Sequence, residues 1–153
     1  MKLQKDLREF IELLNFRGVE YLVMGGHAVA FHGYPPFTGD IDFFIRADAQ
    51  NAARVITVLQ EFGFSDADKL ANALTEPEKI FQLGRPPHRI DILTSVSGLS
   101  FDEAWAAAVP GELDGLSVRF PSLSSLLCNK RASGRTKDLA DVEQLEGFDQ
   151  HSS

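Results

Sequence analysis

Three groups of residues have types and spacings suited to chemistry: the pair Gly25-Gly26, the alternating carboxylates of Asp40-Ile41-Asp42, and Asp91 within Arg89-Ile90-Asp91-Ile92-Leu93. Asp40 and Asp42 open an apolar run, Ile41-Asp42-Phe43-Phe44-Ile45, that reads as a strand. Residues two apart on a strand share a face, so both carboxylates can reach one divalent cation or a close pair of them. Hard oxygen donors of this kind suit Mg²⁺ or Mn²⁺, which take the rest of their shell from water and substrate phosphates.

Gly25 and Gly26 follow a second apolar run, Tyr21 to Met24, and precede a helix-compatible stretch from His27 to Phe31. A strand, a glycine turn and a helix start together expose backbone N–H groups, and glycine lets an anion such as a phosphate approach them closely. The plainer roles are a turn for the glycines, a strand cap for Asp40 and a solvated Asp42. It is the order of both motifs in one stretch that points to chemistry.

Other residues take lesser parts. Thr38 can donate to a phosphate or stabilise a turn, and His27 and His32 lie near the glycine turn, where packing or capping is their ordinary role. Lys130, Arg131, Arg135 and Lys137 place four of the fifteen basic residues within eight positions. Either they form a solvated helix face paired with Asp138 and Asp141, or Lys130 or Lys137 reaches a phosphate. Arg89 shares a strand face with Asp91, where it can contact a phosphate or pair with a carboxylate.

Gly25-Gly26, thirteen intervening residues and then Asp40-Ile41-Asp42 resemble the signature of the polymerase-beta-like nucleotidyltransferase superfamily, in particular its small stand-alone bacterial members. The segment Leu127 to Asp141 is similar to the C-terminal helical segment of the uncharacterised and toxin-antitoxin branches. The resemblance implies a short mixed sheet flanked by helices with a small C-terminal helical element. It implies Asp91 as the third carboxylate, with Asp40, Asp42 and Asp91 catalytic and holding Mg²⁺ (or Mn²⁺), and Gly25, Gly26, Thr38, Lys130 and Lys137 near the nucleotide.

The implied reaction moves a nucleoside monophosphate from a nucleoside triphosphate to an acceptor hydroxyl on a small molecule, a protein or an RNA end, releasing pyrophosphate. The same resemblance implies a basic residue in the loop, in a pattern like Tyr-Pro-Arg-x-Thr, and Pro36 stands in that place. An alternative is therefore a nucleotide- or protein-binding regulator on the same fold, one half of a toxin-antitoxin pair with a cognate protein partner. A plain adaptor whose acidic cluster binds no metal is a third.

The elements that must position these residues are legible in order. Leu3, Leu7, Phe10, Ile11 and Leu14 recur at helical spacing, ending near Gly18. After the first strand, the glycine turn and the short helix, Gly33 to Gly39 forms a loop that Pro35-Pro36 keeps extended, one wall of the site. Asp48 caps a crossover helix from Ala49 to about Phe62 that Gly63 stops. A short helix is expected from Asp68 to Leu74, then two strands, Lys79 to Leu83 and His88 to Leu93, joined by Gly84-Arg85-Pro86-Pro87. Phe101 to Ala108 is a short helix whose Trp105 serves the core or a lid. Asp114-Gly115 is a two-residue hairpin signal. Ser122 caps a helix from Leu123 to about Ala132, and Gly134 separates it from another over Lys137 to about Leu145.

Composition sets the outer bounds. The 153 residues, 44% hydrophobic, fit one α/β domain over 1–148, with 149–153 expected as a disordered tail. A net charge of −7 disfavours indiscriminate binding to nucleic acid or an anionic membrane. The single Cys128 excludes an internal disulfide and, within an apolar helical run, is expected to be a buried structural thiol. No apolar run approaches the ~20 residues that span a bilayer, and Met-Lys-Leu-Gln-Lys-Asp lacks a signal-peptide core. A cytoplasmic protein is expected.

Overall fold

Alternation along the strands decides which side chains meet which layer. The computed structural model describes the backbone of residues 4–33, 40–84 and 89–152 and the side chains of these up to residue 147. Strand β1 (Tyr21–Met24) pairs antiparallel with β2 (Ile41–Ile45), and β2 pairs parallel with β4 (Ile90–Leu93). Strand β3 (Ile80–Leu83) closes the far edge antiparallel to β4, giving the order β1-β2-β4-β3. This is the short mixed sheet expected from the sequence.

On one face Tyr21, Val23, Ile41, Phe43, Ile45, Ile90 and Ile92 join the main core, covered by helices α1 (Lys5–Phe16) and α3 (Ala49–Glu61) through Phe10, Ile11, Leu14, Val55 and Leu59. Phe43 is fully buried between Phe10 and Tyr21, with ring centroids 5.5 and 5.4 Å away. Its burial is worth roughly 2–3 kcal/mol. On the other face Leu22, Met24 and Phe44 form a smaller cluster with Ala104 of α4 (Phe101–Ala106), against which Trp105 packs. The two-residue period thus sends Asp42 and Asp91 to this second, less covered face.

Helix α3 carries the crossover between the parallel strands. Its N-cap Asp48 accepts from the Asn51 N–H at 2.8 Å. Asn51 is buried because its amide is fully used: it accepts from the Glu20 N–H and donates to the Glu20 and Arg46 carbonyls, at 2.8, 3.0 and 2.9 Å. That clamp ties the outer ends of β1 and β2 to the helix. Between α3 and β3 the expected short helix is instead two 3₁₀ turns, Ala67–Leu70 and Ala73–Thr75, each anchored by one buried residue, Ala67 and Leu74.

The expected hairpin forms as β5 (Val109–Leu113) and β6 (Leu116–Phe120). Asp114 and Gly115 have φ of 51° and 78°, the positive angles that a two-residue turn matching strand twist requires. Arg8 of α1 donates to the Asp114 carbonyl at 2.5 Å, and Phe120 stacks on Phe31 at 4.2 Å.

Ser122 caps α5 (Leu123–Ser133) by accepting from the Ser125 N–H at 3.1 Å, and α6 (Thr136–Ser152) follows Gly134. The last helix runs beyond the Leu145 at which periodicity alone ends it. Cys128 is exposed, not buried as expected; its Sγ donates to the Gly98 carbonyl at 3.2 Å. The reason is helical phase: Leu126 and Lys130, four apart, point inward, and Cys128 lies half a turn from both. Among the described residues no helix is long and apolar enough to cross a membrane.

Candidate active site

Asp42 and Asp91 stand directly opposite each other in the parallel β2–β4 register. Asp42 is also opposite Met24 across the antiparallel β1–β2 pair, so the chain leaving β1 passes over its carboxylate. Helix α2 (Gly25–Phe31) starts at Gly25 itself, earlier than the His27 expected. Gly25 has φ +65°, and a Cβ there would lie 2.6 Å from Asp42 Oδ2. Only glycine fits both the backbone angle and the carboxylate beneath it.

The three aspartates form one electrostatic unit. Burial, then the charges of Asp91 and Asp40, push the Asp42 carboxyl up to about 6, against the opposing pull of Arg89 and Arg135. Asp91 is 8% exposed, and Arg89 holds both of its oxygens, with Nε 2.9 Å from Oδ1 and a terminal nitrogen 3.3 Å from Oδ2. The same guanidinium lies 3.3 Å from Asp40 Oδ2. Of the two roles open to Arg89, the structure shows the pairing with carboxylates.

His27 is buried beside this group. Desolvation lowers the pKa of its ring, opposed by a hydrogen bond to the Asp40 main chain, and its Nδ1 has no hydrogen-bond partner among the described residues. The histidine therefore steadies the backbone that carries Asp40 from within the packed layer. His32 instead bonds the Pro121 carbonyl at 2.8 Å.

The remaining sequence candidates are placed differently. Thr38 and Pro36, with the rest of 34–39, lie outside the described residues. Lys130 is buried, and its Nζ sits 3.1 Å from both Asp138 and Asp141, so its charge is used in joining α5 to α6. Lys137 is exposed. The basic residue whose charge reaches Asp42 from this segment is Arg135, 2.6 Å from Asp138. Sequence reasoning placed it in the basic cluster without singling it out, because nothing local separates it from its neighbours. An open cleft of about 760 Å³, lined by Tyr21, Trp105, Glu112 and Arg119 among others, contains none of the sequence-derived site residues.

Three carboxylates on one sheet face, one of them resisting ionisation through burial and then through the charges of the other two, make a donor set whose chemistry fits a hard divalent cation. The set is not a finished cage. Among the described residues no group of three or more His, Cys, Asp or Glu side chains stands close enough to hold a metal, and Arg89 spans Asp40 and Asp91.

With this geometry in hand, solved structures show where the architecture recurs. A lincosamide antibiotic adenylyltransferase crystallised with lincomycin superposes with a TM-score of 0.55 at 17% identity, covering 97% of this chain and 99% of the other. The fold is that of the nucleotidyltransferases. A candidate nucleotidyltransferase from Thermotoga maritima shares that nucleotidyltransferase fold with a TM-score of 0.52, 17% identity and coverage of 94% and 88%. An antigenic nucleotidyltransferase-like protein from Paracoccidioides brasiliensis gives 0.53, 17%, 95% and 77%. No protein-family model and no curated protein matches the sequence.

Proposed function

We propose that this protein is a metal-dependent nucleotidyltransferase that moves a nucleoside monophosphate from a nucleoside triphosphate to an acceptor hydroxyl, with pyrophosphate leaving. The observation that carries the reading is the register of Asp42 against Asp91, with Asp40 joined to Asp91 through Arg89 on the same side of the sheet. Asp40, Asp42 and Asp91 are the residues to hold Mg²⁺ or Mn²⁺. When bound, such a cation supplies polarisation of the α-phosphate and neutralisation of charge on the leaving oxygen.

The chain's own residues do the positioning. Gly25 and Gly26 offer backbone without side chains beside Asp42, giving the phosphates room to approach. Thr38 and Lys137 are proposed as further phosphate contacts. Lys130 acts at one remove by holding α5 and α6 together, which keeps Arg135 within electrostatic reach of Asp42. The acceptor is proposed to be a small hydroxylated molecule, a choice supported by the lincomycin in the lincosamide adenylyltransferase of like fold. The net charge of −7 weighs against a long nucleic acid acceptor.

A second reading, a nucleotide- or protein-binding regulator that acts with a cognate partner as in a toxin-antitoxin pair, draws on one observation. Arg89 already neutralises part of the acidic cluster.

Calorimetric titration of the four ribonucleoside triphosphates, with and without Mg²⁺, separates the two. The transferase reading expects Mg²⁺-dependent binding that the double substitution Asp40→Asn/Asp42→Asn abolishes, followed by acceptor-dependent release of pyrophosphate. Binding that ignores both Mg²⁺ and the substitutions would favour the regulator. No nucleotide binding at all would sink the transferase reading.

A further inference from the structure

We infer that Arg89 is a built-in counter-cation that competes with the divalent ion for Asp40 and Asp91, so that a cation enters only as the guanidinium gives up Asp40. The inference rests on the cation site proposed above and deepens it. Arg89 donates to both oxygens of Asp91, at 2.9 and 3.3 Å, and approaches Asp40 Oδ2 at 3.3 Å. A planar guanidinium can make such a fork where an ammonium cannot.

Its placement decides the shape of the site. Asp91 is nearly buried, Arg89 is about one-third exposed, and Asp40 slightly more. Arg89 therefore grips the buried partner with two hydrogen bonds and approaches the more exposed one at the longer distance of 3.3 Å. Carboxylate oxygens have lone pairs enough for Asp91 to keep one bond to Arg89 while ligating a metal. Asp40 faces the guanidinium with Oδ2 at 3.3 Å, so that oxygen turns to a cation shared with Asp91 only as the guanidinium nitrogen withdraws. The weaker contact is the one that must break.

Two consequences follow from charge. Without metal, Arg89 offsets the mutual repulsion of three carboxylates on one face and so supports the fold. With metal, the same positive charge repels the incoming cation and lowers its affinity. Removing it should make the metal-free protein less stable and the cation tighter. A residue that merely packed would lower stability without improving binding.

The test uses the whole chain and Mn²⁺ alone, with free Mn²⁺ read by electron paramagnetic resonance and stability by thermal unfolding in chelator. Arg89→Gln should bind Mn²⁺ roughly fivefold or more tightly, melt lower than the natural protein in chelator, and recover most of that loss when Mn²⁺ is added. Arg89→Lys, which keeps the charge, should stay near the natural affinity and serves as the folded control. Equal or weaker Mn²⁺ binding by Arg89→Gln, with binding still abolished by Asp42→Asn, would overturn this inference alone. No Mn²⁺ binding by either the natural protein or Arg89→Gln would overturn the cation site with it.

Discussion

Gly25 lies directly over Asp42: a single added carbon on the glycine would stand 2.6 Å from the carboxylate Oδ2. The contact joins the two halves of the motif read in the sequence, and it does so across the β1–β2 register, where Met24 faces Asp42.

Gly25→Ala therefore meets two penalties, a left-handed φ of +65° and a collision with Asp42. Gly115→Ala meets only the first, since open space surrounds that position. We expect Gly115→Ala to cost about 1 kcal/mol and Gly25→Ala about 2–4 kcal/mol in urea unfolding, with Mn²⁺ binding weakened only by the latter. Equal costs would show that Asp42 yields without consequence.

The elevated Asp42 carboxyl has a signed effect on stability. Its folded pKa, about 6, lies above its ordinary value of 3.8, so the protonated form favours the fold. That contribution is complete below pH 4 and disappears as pH rises through 6. In chelator, Asp42→Asn should match the natural protein near pH 4 and exceed it by about 3 kcal/mol at pH 8. A constant difference across that range would contradict the assignment.

Lys130 holds two buried carboxylates, so Lys130→Met leaves them uncompensated and should cost about 3–5 kcal/mol. Burial pushes the Asp138 carboxyl up, but hydrogen bonds from Ser133, Arg135 and Lys130 outweigh it and hold the group at about 2. This depressed value gives stability that is present above the ordinary carboxylate pKa and is lost as pH falls toward 2. Acid unfolding of the natural protein should steepen between pH 4 and 2, and Lys130→Met should flatten that segment.

Burial lowers the His27 pKa below the ordinary 6.5, against the hydrogen bond to the Asp40 main chain, and so favours the neutral ring in the fold. Its contribution is present above that value and is lost as pH falls through the lowered one, opposite in sign to that of Asp42. Imidazole nuclear magnetic resonance at pH 6.5 should find the ring less than half protonated. His27→Gln should cost about 1–2 kcal/mol and remove this acid sensitivity. A ring half protonated at pH 6.5 would refute it.

Much of the architecture follows from short-range rules that the chain carries in adjacent residues. Asp48 and Asn51 make a helix cap within one turn, Asp114-Gly115 satisfies the twist of its own hairpin, and the period of two sends Phe43 and Asp42 to opposite faces whatever covers them. These interactions span a few residues, so residue type and spacing suffice to read them. The motif of Gly25, Gly26, Asp40 and Asp42 is legible for the same reason.

Partnerships between segments distant in sequence depend on register and on helix rotation, and no local pattern encodes either. Asp91 meets Asp42 because the register of two parallel strands, running from Ile41 opposite Ile90 to Phe44 opposite Leu93, sets them side by side. Arg89 pairs with carboxylates, Lys130 turns inward to Asp138 and Asp141, and Cys128 turns outward to Gly98. The sequence leaves open both a phosphate and a carboxylate for each of those cations. For Lys130 burial favours the carboxylates, because a charge taken out of water must find its counter-charge within the fold, and for Arg89 it is the strand register that brings Asp40 and Asp91 within reach.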